Sequence, residues 1–280
     1  MRAIPASAVT EAVQSLCMEA NYFLGDDVLR LIHRCLEQEE SPLGREVLSQ
    51  IVENAGIACD EKIPMCQDTG FPVIFIELGQ EVHITDGDLM ASVQEGVRQG
   101  TKEGYLRSSV VRDPLRRVNT GDNTPAVVHV EIVPGEQIKL TVAPKGGGSE
   151  NMSEVVMLPP SAGIEGVREF VVDRIRRSGG NPCPPLIVGV GIGGTFEKCA
   201  WLAKKSLLRR AGSPNPDPFY AELEADLLKR INDLGIGPMG FGGRCTALAV
   251  HIETHPCHIA SLPVAVNVQC HAARHREKAL

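Results

Sequence analysis

The sequence predicts a mixed α/β fold, with a helical amino-terminal segment over about residues 1–56 followed by strands and helices over about 57–280. Three observations carry this expectation. Helix-start signals recur through the first 56 residues, short apolar runs alternate with helical stripes beyond Gly56, and no internal repeat or low-complexity tract breaks the pattern. A length of 280 residues allows one large domain or two small ones. The candidate linkers, Pro-rich 213–218 and Gly-rich 235–243, are short enough to be surface loops, so one domain over 1–280 is expected.

Ser7 precedes a stripe of Val9, Val13, Leu16, Cys17, Ala20 and Leu24, whose spacing places them on one helical face. Asp26 and Asp27 open a second helix carrying Val28, Leu29, Ile32, Cys35 and Leu36, and Ser41-Pro42 opens a third that ends near Gly56. Cys17 and Cys35 lie on these stripes and are expected to be small buried hydrophobes. Residues 73–78 then read as a strand and 86–102 as a helix, while 126–133 and 138–143 are expected to form a hairpin around Pro134-Gly135-Glu136-Gln137. A helix over 164–177, a buried strand over 186–190, helices over 195–210 and 218–234, and strands near 246–252 and 263–268 complete the order.

Aromatic residues are 4% of the chain and the formal net charge is -7. That combination argues against a stacking platform for single-stranded nucleic acid and against binding of a nucleic-acid phosphate backbone. No apolar run approaches the roughly 18 residues of a membrane span, and the start has neither a basic nor an apolar signal region, so a soluble, cytoplasmic protein is expected. The nine cysteines are odd in number and widely spaced, which does not suggest a disulfide framework and leaves metal binding open to some of the thiols.

Four segments gather glycines and polar residues where a plain fold needs few: 64–70, 145–151, 181–185 and 255–275. Cys66, Cys183 and Cys270 sit in these loops or at strand ends, where thiolates can face a shared pocket. After Lys145, the residues Gly146, Gly147 and Gly148 offer backbone N–H groups as a cradle for a carboxylate or phosphate. Two competing readings come from other motifs. Gly189 to Gly194 match G-x-G-x-x-G between a strand and a helix, as in a dinucleotide-dependent oxidoreductase, but the acidic ribose ligand expected about 20 residues on would fall in the Pro-rich loop. Cys257, His258, Cys270, His271 and His275 crowd together as in a zinc-bound interaction module, yet no C-x-x-C occurs. Neither G-x-S-x-G nor H-E-x-x-H is present.

Taken in order, PMCQDTG at 64–70, LRSSVVRDPL at 106–115, NTGDNTPA at 119–126, APKGGGSEN at 143–151, NPCPP at 181–185, GVGIGGT at 189–195 and HIASLPVAVNVQCHAARH at 258–275 resemble the α subunit of class I fumarate hydratases and the related L-tartrate dehydratases. The resemblance runs from about residue 55 to the end. It implies a fold built around an iron-sulfur site and a hydro-lyase activity, the reversible hydration of fumarate to (S)-malate, with L-tartrate dehydration as the alternative. It implies a four-iron four-sulfur cluster with one open iron, held by Cys66, Cys183 and Cys270. Cys257 lies outside the matching Cys-His-Ala segment. The same resemblance assigns substrate binding to Gln67, Arg107, Gly146, Gly147 and Gly148, and proton transfer to Asp68 and His258. Single-chain members carry a further domain after the third cysteine, so this chain is expected to join a β subunit in an α2β2 assembly. Its other partner is expected to be a small dicarboxylate, with neither nucleic acid nor membrane involved.

The chemistry gives a reason for three cysteines rather than four. Dehydrating a 2-hydroxy acid requires loss of a poor leaving group and of a weakly acidic C–H, and an open iron can act as a Lewis acid on the hydroxyl. A fourth thiolate would block that iron. Because the chain is acidic overall, donors to a dicarboxylate must gather locally.

Overall fold

The computed structural model describes residues 1–280. In chain order its elements are β1 (Arg2–Pro5), α1 (Ala6–Tyr22), α2 (Asp26–Gln38), α3 (Pro42–Glu61), β2 (Phe71–Gly79), β3 (Val82–Thr85), α4 (Leu89–Glu103), β4 (Val127–Val133) and β5 (Ile138–Lys145). There follow a single turn α5 (Gly147–Glu150), β6 (Glu154–Leu158), α6 (Gly163–Ser178), β7 (Leu186–Gly193), α7 (Phe196–Ser206), α8 (Pro218–Asn232), β8 (Ala247–His255), β9 (Leu262–Gln269) and β10 (Arg276–Ala279). The mixed α/β class and the helical start are as expected. No helix is long and apolar enough to cross a membrane.

Internal contacts divide the chain into two compact units, one of residues 1–24, 54–147 and 274–280, the other of 25–53 and 148–273. The amino-terminal helices are shared out: α1 belongs to the first unit, while α2 and the first part of α3 belong to the second.

The first unit holds a four-stranded sheet in the order β10-β5-β2-β4 and a short parallel pair, β1 with β3. Here the expected hairpin is corrected. β2 lies between the two strands, parallel to β4 and antiparallel to β5. The turn after β4 crosses the end of β2, where Gln80 N–H donates to Val133 O and Gly79 N–H donates to Gln137 O. Pro72 to Ile76 are all buried, and a strand covered on both faces competes successfully for the central place. Val9, Val13, Leu16 and Cys17 of α1 pack on Ile74, Ile76, Ile138, Leu140 and Val142 of the sheet. Helix α4 closes on α1 through small residues, since a Cβ at Gly96 would stand 2.6 Å from Thr10 O. Burial pushes the Cys17 thiol up to about 12, as suits an inert core cysteine.

The second unit holds the sheet β6-β9-β7-β8, with β7 parallel to β8 and antiparallel to β9. Helices α6 and α8 bury Val171, Ile175, Leu227 and Ile231 against Val188, Val190, Ile252 and Val266 on one face, and α7 covers the other through Cys199 and Ala203. The glycine string in β7 serves this packing. A Cβ at Gly189 would stand 2.1 Å from Ala203 O, and one at Gly191 would stand 2.0 Å from Cys199 O. The string therefore lets α7 lie on the strand, and residues 213–217, where a ribose ligand would be needed, form no strand.

Cys35 requires a second correction. It is joined to Cys245 in a disulfide, with Cα atoms 6.0 Å apart. A partner 210 positions away leaves no local spacing signal, so the stripe of α2 disclosed only that Cys35 faces inward.

Candidate active site

In the first unit the segment 64–70 is a tight turn organised by Asp68. One carboxylate oxygen accepts the Gly70 N–H at 3.0 Å and the other accepts the Gly147 N–H at 2.8 Å. Its main-chain oxygen accepts from Arg274 Nη2. Thr69 Oγ1 accepts the Arg107 N–H at 2.9 Å and donates back to Arg107 O at 3.3 Å, which fixes the start of the 106–115 segment beside the turn. Gly70 has φ +85°, and a Cβ there would come within 2.8 Å of Lys145 N, so only glycine lets the turn lie against the end of β5. Cys66, Gln67, Asp68, Arg107 and Gly147 are thus brought into one neighbourhood. The side chains of Gln67 and Arg107 are exposed, and Cys66 is half-buried. Gly146 connects β5 to α5.

In the second unit Cys183 precedes β7 and Cys270 follows β9. Because these strands are antiparallel, with Ile187 opposite Gln269, both cysteines fall at the same end of the sheet. The next residue ties them: His271 N–H donates to Cys183 O at 3.3 Å, and His271 Nδ1 stands 3.1 Å from the same oxygen. Cys183 adopts φ +58°, a left-handed backbone that non-glycine residues hold only where surroundings impose it. A Cβ at Gly148 would stand 3.4 Å from Asn181 O, which puts the last glycine of the cradle beside the Cys183 loop.

His258 and Cys257 lie elsewhere. They occupy the turn between β8 and β9, where His258 Nδ1 accepts the Ala260 N–H at 3.1 Å and both residues are exposed. The eight residues of β9 separate this turn from Cys270, a span of about 26 Å at the usual strand rise. That span overturns the zinc reading, since Cys257 and His258 stand at one end of β9 and Cys270, His271 and His275 follow its other end. Nor do three or more His, Cys, Asp or Glu side chains meet at a point as a single metal ion requires.

Three residues escaped the sequence reading. Glu39 is 2% exposed, and its carboxylate accepts backbone N–H groups from Glu40, Ser41, Arg244 and Cys245 at 2.9–3.1 Å. Burial would raise its carboxyl, but those four N–H groups together hold it below the usual carboxylate range. His251 is buried in β8 with Nδ1 3.2 Å from Ser206 O; burial, reinforced by Arg209, pushes it down to about 4. Arg274 is buried beside the Asp68 turn. A motif containing Arg274 was visible, but nothing in its spacing signalled burial.

Comparison with known proteins agrees with the motifs. Residues 10–279 match the family model described as fumarate hydratase (Fumerase). A Methanocaldococcus jannaschii protein, named provisionally as an L(+)-tartrate dehydratase subunit alpha, is 42% identical over 272 residues, covering 95% of each chain. The L(+)-tartrate dehydratase subunit alpha of Escherichia coli strain UTI89 is 35% identical over 270 residues, 95% of this chain and 88% of its own, and that of strain K12 is 34% identical over the same extent. With a family match across nearly its whole length and relatives of this similarity, the chain belongs to the fumarate hydratase family of hydro-lyases, on the side of its α subunits.

Proposed function

We propose that this chain is the α subunit of an iron-sulfur hydro-lyase that interconverts fumarate and (S)-malate, with Cys66, Cys183 and Cys270 holding a four-iron four-sulfur cluster. The observation that carries the reading is the meeting of the Cys183 and Cys270 segments at His271, although 87 positions separate them in sequence. The donor set fits: the thiols lie in loops rather than on core stripes, and a cluster takes each thiolate at a different iron, so they need not converge on one point. When bound, the cluster supplies an open iron that polarises the substrate hydroxyl.

The chain's own residues have separable tasks. Gln67 and Arg107, exposed beside the Asp68 turn, donate to a substrate carboxylate. We assign the Gly146 to Gly148 segment to the substrate side of the Asp68 turn, where the Gly147 N–H donates to Asp68 and holds that side chain in place. Asp68, positioned by two backbone N–H groups, moves the proton at its Oδ2. His258 stands a strand's length from Cys270 within its own unit, and we assign its proton-transfer role to a site completed by a second copy of the chain. An α2β2 assembly, with its two α chains and a β subunit for each, provides that copy. Ile259, next to His258, is 91% exposed and offers the apolar contact such a neighbour needs.

The test is anaerobic expression with the partner subunit, analysis of iron and sulfide, and assay of fumarate hydration. Cluster-dependent turnover is expected; absence of iron and sulfide, or full turnover after chelation and air exposure, overturns the reading. The names of the relatives favour a second substrate, L-tartrate. The ratio of kcat/KM for the two substrates decides between them.

A further inference from the structure

Arg274 is 4% exposed, and only one part of its guanidinium is satisfied within the chain. Nη2 donates to Asp68 O, whereas Nε and Nη1 are buried without a hydrogen-bond partner. Burying a cation is costly unless an anion and hydrogen bonds compensate, and native proteins rarely orphan two donors on one side chain. The guanidinium therefore points to an anionic group resident beside the Asp68 turn.

We propose that Arg274 is a positioning residue for the iron-sulfur cluster, its Nε–H and Nη1–H donating to sulfur on the Cys66 side while Nη2–H fixes the Cys66–Asp68 turn. The inference rests on the cluster assigned under Proposed function. Two features select that group over a substrate carboxylate. Arg107 is exposed, as suits a ligand that comes and goes, while Arg274 is sealed, as suits a permanent one. Three thiolates also outweigh the charge of a dipositive four-iron core, so the bound cluster is an anion, and hydrogen bonds to its sulfurs are a recognised lever on its potential. The guanidinium meets the main chain two residues after Cys66, so it is tied to that ligand segment.

The experiment uses the full chain with its partner subunit, purified anaerobically as wild type, Arg274→Lys and Arg274→Met, with cluster content, EPR-monitored redox titration, chelator-induced iron release and thermal melting read in parallel. Removing the cation favours the oxidised cluster. Arg274→Met is expected to change the one-electron equilibrium at least tenfold, a fall of about 59 mV, and to release iron faster. Arg274→Lys, which keeps the charge but loses the planar fork, is expected to shift less. An unmoved potential with a raised KM would make Arg274 a substrate ligand, and a lowered melting temperature with potential and iron release unchanged would make it purely structural; either overturns the proposal. If Arg274→Met fails to fold, Arg274→Lys alone decides, because wild-type potential and release in that variant also overturn it. A wild-type protein without iron and sulfide removes the parent reading and this one together, whereas a loaded wild type with indifferent variants removes only this one.

Discussion

At one end of the second unit's sheet, the segments before β7 and β8 and after β9 are tied together from several directions. Met239 N–H donates to Pro184 O, Gly180 and Gly240 pack backbone to backbone, Asn232 holds the start of β8, and Glu39 and the Cys35–Cys245 disulfide fasten residues 244 and 245 to α2. At the other end, Pro256 to Ala260 are all exposed and His258 is held only by its own turn. Cys183 and Cys270 sit at the braced end. Under the proposed function this difference would separate ligation from proton transfer. A bound cluster needs thiols whose positions are over-determined, while a residue presented to a neighbouring copy needs to stand clear of its own unit.

The largest effects should follow from breaking the braced end at its sulfurs. Cys183→Ser or Cys270→Ser is expected to abolish bound iron and sulfide and all turnover, while Cys257→Ser, at the exposed end, keeps both. Absorbance of the anaerobically purified variants reads this directly. Cluster loss in the Cys257 variant, or full loading in either of the others, would dissolve the comparison.

Proton transfer sharpens it next. Asp68→Asn is expected to lower kcat by roughly 10²- to 10⁴-fold with the cluster spectrum intact. His258→Asn is expected to lower kcat as well, and its loss should be repaired in mixed assemblies. A His258→Asn chain has intact cysteines, and a Cys183→Ser chain has an intact His258. Co-expression of the two inactive chains should restore turnover, because one of the two sites then holds a cluster and a histidine from different copies. No recovery in mixed assemblies of verified composition would confine His258 to its own chain or to no role.

Much of this contrast was hidden by the way sequence encodes distance. The strands on either side of residue 134 and the helix at 163–178 were legible because hydrophobic period and turn residues are local properties. Pairing is not local, so β4 and β5 looked like a hairpin until β2 was found between them. The site misled in the opposite sense. His258 and Cys270 share one continuous motif and lie at opposite ends of β9, whereas Cys183 and Cys270 are remote in sequence and share a hydrogen bond through His271. Motifs named the thiols, but burial decided which arginine is sealed, and burial of a long charged side chain has no period to read.

A smaller effect is expected from the brace itself. Glu39→Gln keeps the shape of the side chain but replaces an ionised acceptor by one that also presents two donors to four converging N–H groups. A loss of about 1–3 kcal/mol is expected in denaturant unfolding, the scale for leaving buried donors unsatisfied. Iron release from the cysteine end should quicken in parallel. The same substitution at exposed Glu40, whose carboxylate pairs with Arg244, should change stability by less than about 1 kcal/mol, as exposed ion pairs do. Equal losses for Glu39 and Glu40 would show that the brace contributes no more than a surface pair.

The smallest effect comes from a histidine inside the braced sheet. His251 is buried in the sheet and its folded pKa, lowered by burial and by Arg209 to about 4, lies below the ordinary 6.5. The unfolded chain therefore takes up the proton first as pH falls. The stability linked to His251 is complete above about pH 6.5 and is lost as pH falls through that value toward about 4. Glu39, held below 4.5, contributes its own loss only in the more acid part of the range. Melting temperatures recorded from pH 7 to pH 5 should therefore decline in the wild type and decline less in His251→Gln, which has no proton to gain. A His251→Gln slope matching the wild type would mean that the acid-sensitive group of this unit is not in the interior of its sheet.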